Sequence, residues 1–530
     1  MEEGQAVRIP FDVRDADRSI FDALIAARGR MGGATPILVD GDGRTFTYDE
    51  IVRASFALGH ALKKGTARGE CVGVMLPTGA AGTLCFLALS AYGRIPTMLN
   101  FTSGSAGLKS ALCTAQVRRI ITARRLVEVA KLQDEIAALA DFEIVYLEDV
   151  RKQLTLADKL TAVAGKLLPS FMSRKVDPGK PAVILFTSGT EGEPKGVALS
   201  HRNILANLGQ VRAHIDIYPG DVVFNPLPIF HCFGLTVGTL LPLIAGVRQV
   251  CHPTPLQPRE IARRIRETGA TILLSTDTFI NQYARAGEPG DLDSLRLAVC
   301  GAERLRDETR SFVRRKYGIT LLEGYGVTEA SPVVAANQPE ANHSGTVGRL
   351  VAGMETRLVP VEGIPGAGRL LLKGPNIMLG YIRPDAPGRI VPPEDGWYDT
   401  GDVVSIDADG FIAIRGRLKR FAKIGGETVS LAVVENIAAA LWPDNAHAAV
   451  AIPDGRKGEQ VVLVTDAPDA SRVDLIGWAQ NHGVSELAVP RHVLTVEAVP
   501  ILGTGKTDYV KVQNLAQAKC GAVQAANVIV

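Results

Sequence analysis

The chain has 530 residues, of which 46% are hydrophobic and 22% are charged, so it can bury a large core in more than one domain. Its formal net charge of +2 gives no global sign of nucleic-acid binding. Seven scattered cysteines, none in C-x-x-C spacing, argue against a disulfide framework or a zinc site and suit a reducing compartment. Because the polar N-terminal stretch also has no apolar segment typical of a secretory signal, we expect a cytoplasmic protein.

Short apolar runs alternate with longer helical patterns from about residue 37 to residue 121. The same rhythm returns between residues 181 and 320. This alternation is typical of parallel sheets with crossover helices, so we predict an α/β fold with two doubly wound subdomains. The predicted strands include residues 72–76, 119–122, 182–187, 271–275 and 295–300.

Residues 150–171 lie between the two predicted subdomains and have an apolar pattern close to the helical period, interspersed with lysines. Two interpretations are open: an ordinary amphipathic helix packed on the core, or a basic helix that touches the surface of a membrane. The apolar positions are Val150, Leu154, Leu160, Val163, Ala164, Leu167, Leu168 and Phe171, and the lysines are Lys152, Lys159 and Lys166.

From residue 345 to residue 416 the pattern changes to short strands, with a hairpin at 403–415 whose turn is Asp407-Ala408-Asp409-Gly410. This predicts a small antiparallel, β-barrel-like unit. The last segment has strand patterns at 447–452 and 460–465, then a helix capped by Ser471 and Asp474 that ends near Gly483. We therefore predict a large N-terminal domain, residues 1–416, and a small mobile α+β domain, residues 417–530.

The run Phe186-Thr-Ser-Gly-Thr-Glu-Gly-Glu-Pro-Lys-Gly196 follows a buried apolar strand pattern. Its glycines and small hydroxyl residues let backbone N–H groups approach phosphate oxygens, and Lys195 adds positive charge. The spacing is not that of a Walker A motif, and Gly505-Lys506-Thr507 is not one either, because the required first glycine would fall at Pro500. The candidate phosphate-binding residues are Thr187, Ser188, Gly189, Thr190 and Lys195.

Further short motifs follow this run in a fixed order along the chain. They are Leu227-Pro-Ile-Phe-His231, Gly301-Ala-Glu303, Tyr325-Gly-Val-Thr-Glu329, Trp397-Tyr-Asp-Thr-Gly-Asp402, Gly416-Arg417, Lys423-Ile-Gly-Gly-Glu427 and Gly503-Thr-Gly-Lys506. From about residue 20 to residue 515 the chain resembles the adenylate-forming superfamily of acyl-CoA synthetases, luciferases and peptide-synthetase adenylation domains. Several motifs in the correct order are far more specific than any one of them.

Within that superfamily, four runs are most similar to the acyl-[acyl-carrier-protein] synthetase half of the bifunctional 2-acylglycerophosphoethanolamine acyltransferase. These runs are residues 322–329, 373–378, 420–424 and 486–491. The acyltransferase half of that enzyme has an H-x-x-x-x-D motif, which is absent from this sequence. We therefore expect the synthetase activity alone.

The resemblance implies a role for each residue that matches a superfamily motif. Lys506 would lie between the carboxylate and the α-phosphate, where it offsets the repulsion of two anions. Glu329 would hold Mg²⁺ and Thr328 would bond the α-phosphate. Tyr325 would stack on adenine, and Gly301 and Ala302 would form part of the adenine wall. Glu303 and Gly326 would belong to the same nucleotide-binding site. Asp402 and Arg417 would bind ribose, Lys419 would mark a hinge, and Lys423 would lie near the pantetheine arm.

His231 lies in the apolar run Ile229-Phe-His-Cys-Phe233. A core histidine held by hydrogen bonds and a residue that gates or orients the substrate are equally compatible with this context. The small and apolar residues 234–238, with Thr276, Thr278 and Phe279, are candidates for an acyl tunnel, which the resemblance implies. Glu191 stands where most of the superfamily has threonine, and its role is open.

The sequence thus predicts an ATP-dependent ligase that joins a medium- or long-chain fatty acid to AMP and then to a phosphopantetheine thiol. Acyl carrier protein is the favoured acceptor, and a basic run at Arg415, Arg417, Lys419, Arg420 and Lys423 suits an acidic partner. The alternatives are an acyl-CoA synthetase and an enzyme that adenylates aryl or amino acids. A binder without activity would normally lack Lys506 or Glu329, and both are present.

Overall fold

The structure, a computed structural model, describes residues 10–188, 194–424, 427–454, 458–482, 484–501 and 507–526. The chain forms two compact units. The first contains residues 1–355 and 373–398, and the second contains residues 356–372 and 399–530. The domain boundary that the sequence predicts, between residues 416 and 419, falls inside the second unit. That the chain has a hinge at this place stays a prediction.

The strands of the two units are, in chain order, β1 (Pro36–Val39), β2 (Thr45–Thr47), β3 (Cys71–Val74), β4 (Ile95–Met98), β5 (Arg119–Thr122), β6 (Glu143–Tyr146), β7 (Pro181–Ser188), β8 (Pro194–Ser200), β9 (Val222–Asn225), β10 (Arg248–Cys251), β11 (Ile272–Ser275), β12 (Leu297–Cys300), β13 (Thr320–Gly326), β14 (Val333–Ala336), β15 (Arg349–Leu350), β16 (Glu355–Pro360), β17 (Gly368–Lys373), β18 (Gly380–Arg383), β19 (Ala386–Val391), β20 (Tyr398–Ile406), β21 (Ile412–Arg417), β22 (Phe421–Ile424), β23 (Glu427–Ser430), β24 (His447–Asp454), β25 (Gly458–Thr465) and β26 (His492–Thr495).

The α-helices are α1 (Ile20–Met31), α2 (Tyr48–Leu62), α3 (Ala80–Ala91), α4 (Gly104–Thr114), α5 (Arg124–Val129), α6 (Gln133–Ala138), α7 (Leu147–Lys152), α8 (Leu156–Leu167), α9 (Pro169–Met172), α10 (His201–His214), α11 (Leu241–Ala245), α12 (Pro258–Thr268), α13 (Asp277–Ala286), α14 (Asp307–Tyr317), α15 (Leu431–Leu441), α16 (Arg472–Asn481) and α17 (Tyr509–Ala526). A π-helix spans Phe233–Leu240, and a 3-10 helix spans Thr328–Ala330.

Two large sheets organise the first unit. The nine-stranded sheet has the order β15-β14-β13-β12-β11-β9-β10-β1-β2, and its strands from β13 to β1 pair in parallel. The eight-stranded sheet has the order β19-β18-β8-β7-β4-β3-β5-β6 and is parallel from β7 to β6. Strands such as Ile272–Ser275 are buried along their whole length, as expected when helices cover both faces of a sheet. The predicted α/β fold with two doubly wound subdomains is confirmed.

The second unit contains a four-stranded sheet, β16-β17-β20-β21, and a five-stranded sheet in which β26 pairs with β25. The predicted hairpin forms β20 and β21, because Asp407 closes the turn by accepting hydrogen bonds from the backbone N–H groups of Asp409 and Phe411. Helix α16 begins after Ser471, which accepts a hydrogen bond from the N–H of Asp474 as predicted. Gly483 lies outside the described residues.

Helix α8 does not bury its large apolar side chains, as the interpretation of an ordinary amphipathic helix packed on the core would require. It packs on α2 through Asp158, Ala162 and Gly165, which are buried. Its large apolar side chains, including Leu160 and Leu167, are exposed instead. That interpretation is therefore wrong, because the buried side of the helix is the one with small residues and a paired carboxylate. Among the described helices, none is both long and apolar enough to cross a membrane.

Candidate active site

Three neighbouring parallel strands, β11, β12 and β13, end at the same edge of the nine-stranded sheet. In open α/β sheets, ligands bind beyond the carboxyl ends of the strands, where the loops converge. Residues 301–303 follow β12 directly, Tyr325 and Gly326 end β13, and the 3-10 helix with Thr328 and Glu329 comes next. The fold therefore brings two of the predicted motifs to one edge.

The loop after β12 lies close to the first turn of the π-helix. A Cβ atom added at Gly301 would lie 3.3 Å from the Phe233 ring, so glycine keeps the loop and the ring close together. Ala302 has a φ of +67°, which is uncommon for a residue other than glycine. Glu303 Oε2 accepts a hydrogen bond from the backbone N–H of Thr278 at 3.0 Å. Glu303 thus ties this loop to the start of α13, and its predicted contact with the nucleotide is untested.

The end of β13 is held against the backbone that follows the 3-10 helix. A Cβ atom at Gly326 would lie 2.6 Å from the carbonyl oxygen of Pro332, so only glycine fits without a shift of the backbone. The Tyr325 side chain is buried at the same place. The glycine of this motif therefore has a local structural role in addition to any role of the motif in binding adenine.

Glu329 is a buried carboxylate held by a tyrosine hydroxyl. Glu329 is only 7% exposed. Its Oε1 atom accepts a hydrogen bond from the Tyr381 hydroxyl at 2.5 Å. Tyr398 is buried as well. Burial raises the pKa of Tyr381 above its usual range, and the charge of Glu329 raises it further, so the hydroxyl keeps its proton and remains a donor.

The phosphate-loop hairpin reaches the same tyrosine from the other side. Strands β7 and β8 pair Thr187 with Lys195, and β8 pairs with β18, which carries Tyr381. The Lys195 ammonium lies 5.8 Å from the centroid of the Tyr381 ring. One tyrosine therefore has a cation over its face and a carboxylate at its hydroxyl. Residues Gly189, Thr190 and Glu191 lie outside the described residues, as does the side chain of Ser188.

Sequence reasoning assigned no role to Tyr381 or Tyr398. Tyr398 lies inside the Trp397–Asp402 motif, which could have pointed to it. For Tyr381 the sequence offers no comparable signal, because the close approach of the Val391 carbonyl oxygen to the preceding Gly380 is visible only in the structure. Its neighbours Lys195 and Glu329 are remote in sequence, so their proximity depends on strand pairing.

His231 and Cys232 lie between β9 and the π-helix. The His231 ring packs edge-on against Phe230 with the centroids 4.8 Å apart, and the Cys232 sulfur lies 3.9 Å from the Thr328 carbonyl oxygen. Burial, with a smaller contribution from the Glu329 charge, raises the pKa of the Cys232 thiol to about 12. This thiol is therefore no nucleophile at neutral pH, because only the thiolate reacts.

An apolar cavity of about 60 Å³ lies beside the π-helix. Phe233, Val237 and Leu241 form one side of it, and strand residues such as Leu274 and Val299 form the other. Thr276, Thr278 and Phe279 are not among its lining residues. Thr276 caps α13 instead, and Phe279 is buried with its ring parallel to that of Tyr283.

The second unit holds the predicted ribose-binding pair. Arg417 Nε donates a hydrogen bond to Asp402 Oδ1 at 2.9 Å, and the two residues are also paired in the register of β20 and β21. The Asp402 side chain is buried, whereas the Arg417 side chain is 59% exposed. A carboxylate held in this way keeps a fixed orientation, which suits recognition of two neighbouring hydroxyls.

The basic run near the predicted hinge is less uniform than the sequence indicates. Lys419 and Lys423 are exposed, but Arg420 is not part of that surface. Its guanidinium lies 3.7 Å from the Tyr509 ring centroid and donates to Glu435 at 2.8 Å. Arg420 therefore stabilises the second unit, and including it in a docking surface was wrong. Lys506, the predicted catalytic residue, lies outside the described residues.

Residues 26–382 match the family of AMP-binding enzymes. The chain belongs to this family. Together with the two CoA ligases described below, this match confirms the prediction of an AMP-forming acid–thiol ligase, and the family supports ATP as the nucleotide. No three described His, Cys, Asp or Glu side chains are grouped closely enough to hold a metal ion by themselves, so Glu329 would have to share any Mg²⁺ with phosphate oxygens and water.

Two curated relatives align over most of the chain. The chain is 29% identical to a long-chain-fatty-acid–CoA ligase of Salmonella typhimurium over 501 residues, covering 88% of this chain and 89% of that protein. It is 30% identical to a medium-chain fatty-acid–CoA ligase of Escherichia coli over 496 residues, covering 88% and 85%. ATP-bound MatB from Rhodopseudomonas palustris shares the fold, with a TM-score of 0.81, 23% identity and coverage of 94% of this chain and 99% of that one.

Proposed function

We propose that this protein activates a medium- or long-chain fatty acid in two steps. The carboxylate first attacks the α-phosphorus of ATP, so a C–O–P anhydride forms and pyrophosphate leaves. A phosphopantetheine thiol then attacks the acyl carbon and AMP leaves. The observation that carries the proposal is the cluster formed by Glu329, which follows β13 of the nine-stranded sheet, with Tyr381 and Lys195 from β18 and β8 of the eight-stranded sheet. An apolar cavity lies beside the π-helix of the same unit.

Different residues of the first unit would bind the phosphates, the magnesium ion and the adenine of ATP. The phosphate loop, with Thr187 and Lys195, would bind the outer phosphates, and Thr328 would bond the α-phosphate. Glu329 would hold Mg²⁺, which would neutralise the phosphates during the displacement. Tyr381 fixes the orientation of that carboxylate through its hydrogen bond. Tyr325 would stack on the adenine, with the 301–303 loop as the facing wall.

The remaining residues would act from the second unit and its C-terminal part. Asp402 would accept hydrogen bonds from the ribose hydroxyls, and Arg417 orients the Asp402 carboxylate through its own hydrogen bond. Lys506 would offset the repulsion between the carboxylate and the α-phosphate. We propose that Lys419 is the hinge about which the C-terminal residues turn between the two steps, so that Lys423 replaces Lys506 beside the acceptor.

The apolar cavity supports an acyl chain as the group that is activated. Its described lining carries aliphatic and aromatic side chains from the π-helix and from strands of the nine-stranded sheet, together with His214. Each methylene that an apolar lining buries contributes about 0.8 kcal/mol, so such a lining favours fatty acids over acetate. Enlarging Val237 to phenylalanine should shift the preference to shorter acids, because the added ring occupies space on the π-helix side.

The thiol acceptor has two candidates. Coenzyme A is better supported, because both curated relatives are CoA ligases by name. Acyl carrier protein is the second candidate, because four runs of the sequence resemble the acyl-[acyl-carrier-protein] synthetase half of a bifunctional enzyme. Arg415, Lys419 and Lys423 are exposed and could meet the phosphates of either acceptor.

We also propose that the enzyme is cytoplasmic and works peripherally on the inner face of a membrane, where long acids collect.

The decisive experiment is AMP release by the purified protein with MgATP and acids from acetate to long-chain fatty acids, each with CoA or with holo-acyl carrier protein. We expect turnover to rise with chain length in the presence of CoA. Turnover with carrier protein alone would reassign the acceptor and keep the chemistry. No AMP with any fatty acid, but release with aryl or amino acids, would overturn the proposed substrate class.

A further inference from the structure

The outer side of α8 and α9 carries a continuous row of large apolar side chains. Their exposed fractions range from 52% to 85%, and Phe171 at the end of the row is the most exposed. The residues are Leu156, Leu160, Val163, Leu167, Leu168 and Phe171. Single exposed apolar residues are ordinary on a protein surface, but a contiguous row marks an interaction site.

The orientation of the helix is fixed and is not the result of weak packing. At roughly 100° per residue, Leu156, Leu160, Val163 and Leu167 fall within an arc of about 60°. Asp158, Ala162 and Gly165 occupy an arc of similar width on the opposite side, and all three are buried. The apolar row therefore points directly away from the core.

Close contacts on the buried side hold α8 in this orientation. A Cβ atom at Gly165 would lie 2.2 Å from the Phe56 ring, so the glycine lets α8 approach α2 closely. Asp158 caps its own helix through Thr155 and lies 2.6 Å from His60 Nδ1 and 3.7 Å from Lys64 Nζ. A helix rotated to bury its leucines would lose the contacts of Asp158 with His60 and Lys64.

The charges around the row are positive. From Leu156 to Lys175 the one acidic residue is Asp158, which is buried and paired, whereas Lys159, Lys166, Arg174 and Lys175 are basic. Lys166 shares Asp49 with Arg28, so that carboxylate is neutralised as well. On the adjoining end of α2, burial lowers the pKa of Lys63, and the charges of Arg174, Arg94 and Lys64 lower it further. The charges that flank the apolar row are therefore the basic residues of its own segment, Lys159, Lys166, Arg174 and Lys175.

We propose that the α8–α9 face is the surface through which this protein binds to an anionic lipid membrane. Leucines and a phenylalanine on one side of a helix, with lysines beside them, are the features by which interfacial helices bind lipid. A second copy of the chain is a poorer occupant, because a symmetric contact would place each lysine cluster against its own image. An anionic surface is instead complementary to these charges. The inference builds on the peripheral location proposed above, and vesicle binding can be measured without any substrate.

The test is flotation of the full chain with vesicles of phosphatidylcholine alone, or with roughly one third phosphatidylglycerol, at low and high salt. We expect binding to the anionic vesicles that weakens at high salt. The variant Leu160→Gln/Leu167→Gln/Phe171→Gln should bind at least about tenfold more weakly, because it removes apolar side chains that enter the lipid. It should fold normally, because all three side chains are exposed.

A matched control removes three exposed apolar side chains elsewhere, as Leu256→Gln/Val473→Gln/Val510→Gln. This control should bind as the unchanged protein does, and both variants should release AMP normally with a water-soluble medium-chain acid. Equal vesicle binding by the two triple variants, or no binding by the unchanged protein, would overturn the proposal. A dimer by light scattering that becomes a monomer only in the α8–α9 variant would assign the face to a second copy and would also overturn it. Loss of AMP release in all proteins would instead refute the proposed function and leave the membrane result intact.

Discussion

The site around Glu329 and the outer side of α8 both depart from the usual burial of apolar residues and exposure of charged ones, but in opposite directions. At the first, a carboxylate is buried and held by a tyrosine hydroxyl. At the second, six large apolar side chains are exposed. Both arrangements cost stability, the first through desolvation of a charge and the second through contact of apolar surface with water. Under the two proposals above, a ligand would compensate each departure: magnesium and phosphates in one place, lipid in the other.

The largest effect on the buried site should come from Lys506→Ala. The variant removes the positive charge that would offset the repulsion of two anions, so adenylate formation should fall about a thousandfold. Thioester formation from supplied acyl-AMP should survive, because that step does not need this charge. Both half-reactions are measured separately, with Lys511→Ala, an exposed lysine paired with Asp508, as the control. An equal loss in both half-reactions, in a folded protein, would contradict the two-step account.

This lysine also illustrates how much the sequence could predict. The order of the motifs identified the chemistry, and the apolar runs located the parallel strands, because both signals are local in sequence. The Tyr381 contact with Lys195 and Glu329 could not be predicted, since it depends on pairing between β8 and β18. The orientation of α8 could not be predicted from the sequence either. Periodicity shows that a helix has an apolar side, but the direction of that side depends on Gly165 meeting Phe56.

Asp158→Asn should test the other half of the comparison, the attachment of α8. Although burial opposes ionisation, hydrogen bonds from Thr155 and His60 and the charge of Lys64 hold the pKa of Asp158 well below its usual range. Loss of the charge should cost about 2–3 kcal/mol in the free energy of unfolding, measured in urea. The stabilisation is present above the unfolded pKa of about 3.9 and is lost as the pH falls through the lower folded pKa, because the unfolded state then binds the proton first.

Hydrogen exchange gives the local version of the same test. The α8 amides of the Asp158→Asn variant should exchange faster than those of α10, which has its own capping box at Ser200 and Asn203. Uniform protection across both helices would mean that Asp158 does not hold α8 in place.

Tyr381→Phe should have a smaller effect on the buried site. The variant keeps the ring beside Lys195 but removes the hydroxyl that orients Glu329. We expect kcat for adenylate formation to fall about tenfold, and the magnesium concentration needed for half-maximal rate to rise. Tyr317→Phe, which loses hydrogen bonds to the carbonyls of Ala284 and Gly287, is the control. A fall in kcat with unchanged magnesium dependence would show that Tyr381 does not position a metal ligand.

Arg417→Gln should have the smallest effect, because its side chain is largely exposed and such ion pairs contribute less than about 1 kcal/mol to stability. The melting temperature should hardly change, whereas KM for ATP should rise a few-fold, since Asp402 loses the group that orients it. Arg415→Gln, whose side chain donates to Ser405, leaves that pair intact and should leave KM unchanged. Equal KM values in both variants would remove Arg417 from the nucleotide site.

The most direct test of the central claim is the exchange of radiolabelled pyrophosphate into ATP by the unmodified protein, with magnesium and one added acid but no thiol. Exchange requires only the first step, so it isolates acyl-adenylate formation from the identity of the acceptor. We predict exchange that depends on the added acid and increases from acetate to medium- and long-chain fatty acids. Exchange that is absent with every fatty acid, or is the same with acetate as with a long-chain acid, would contradict the account.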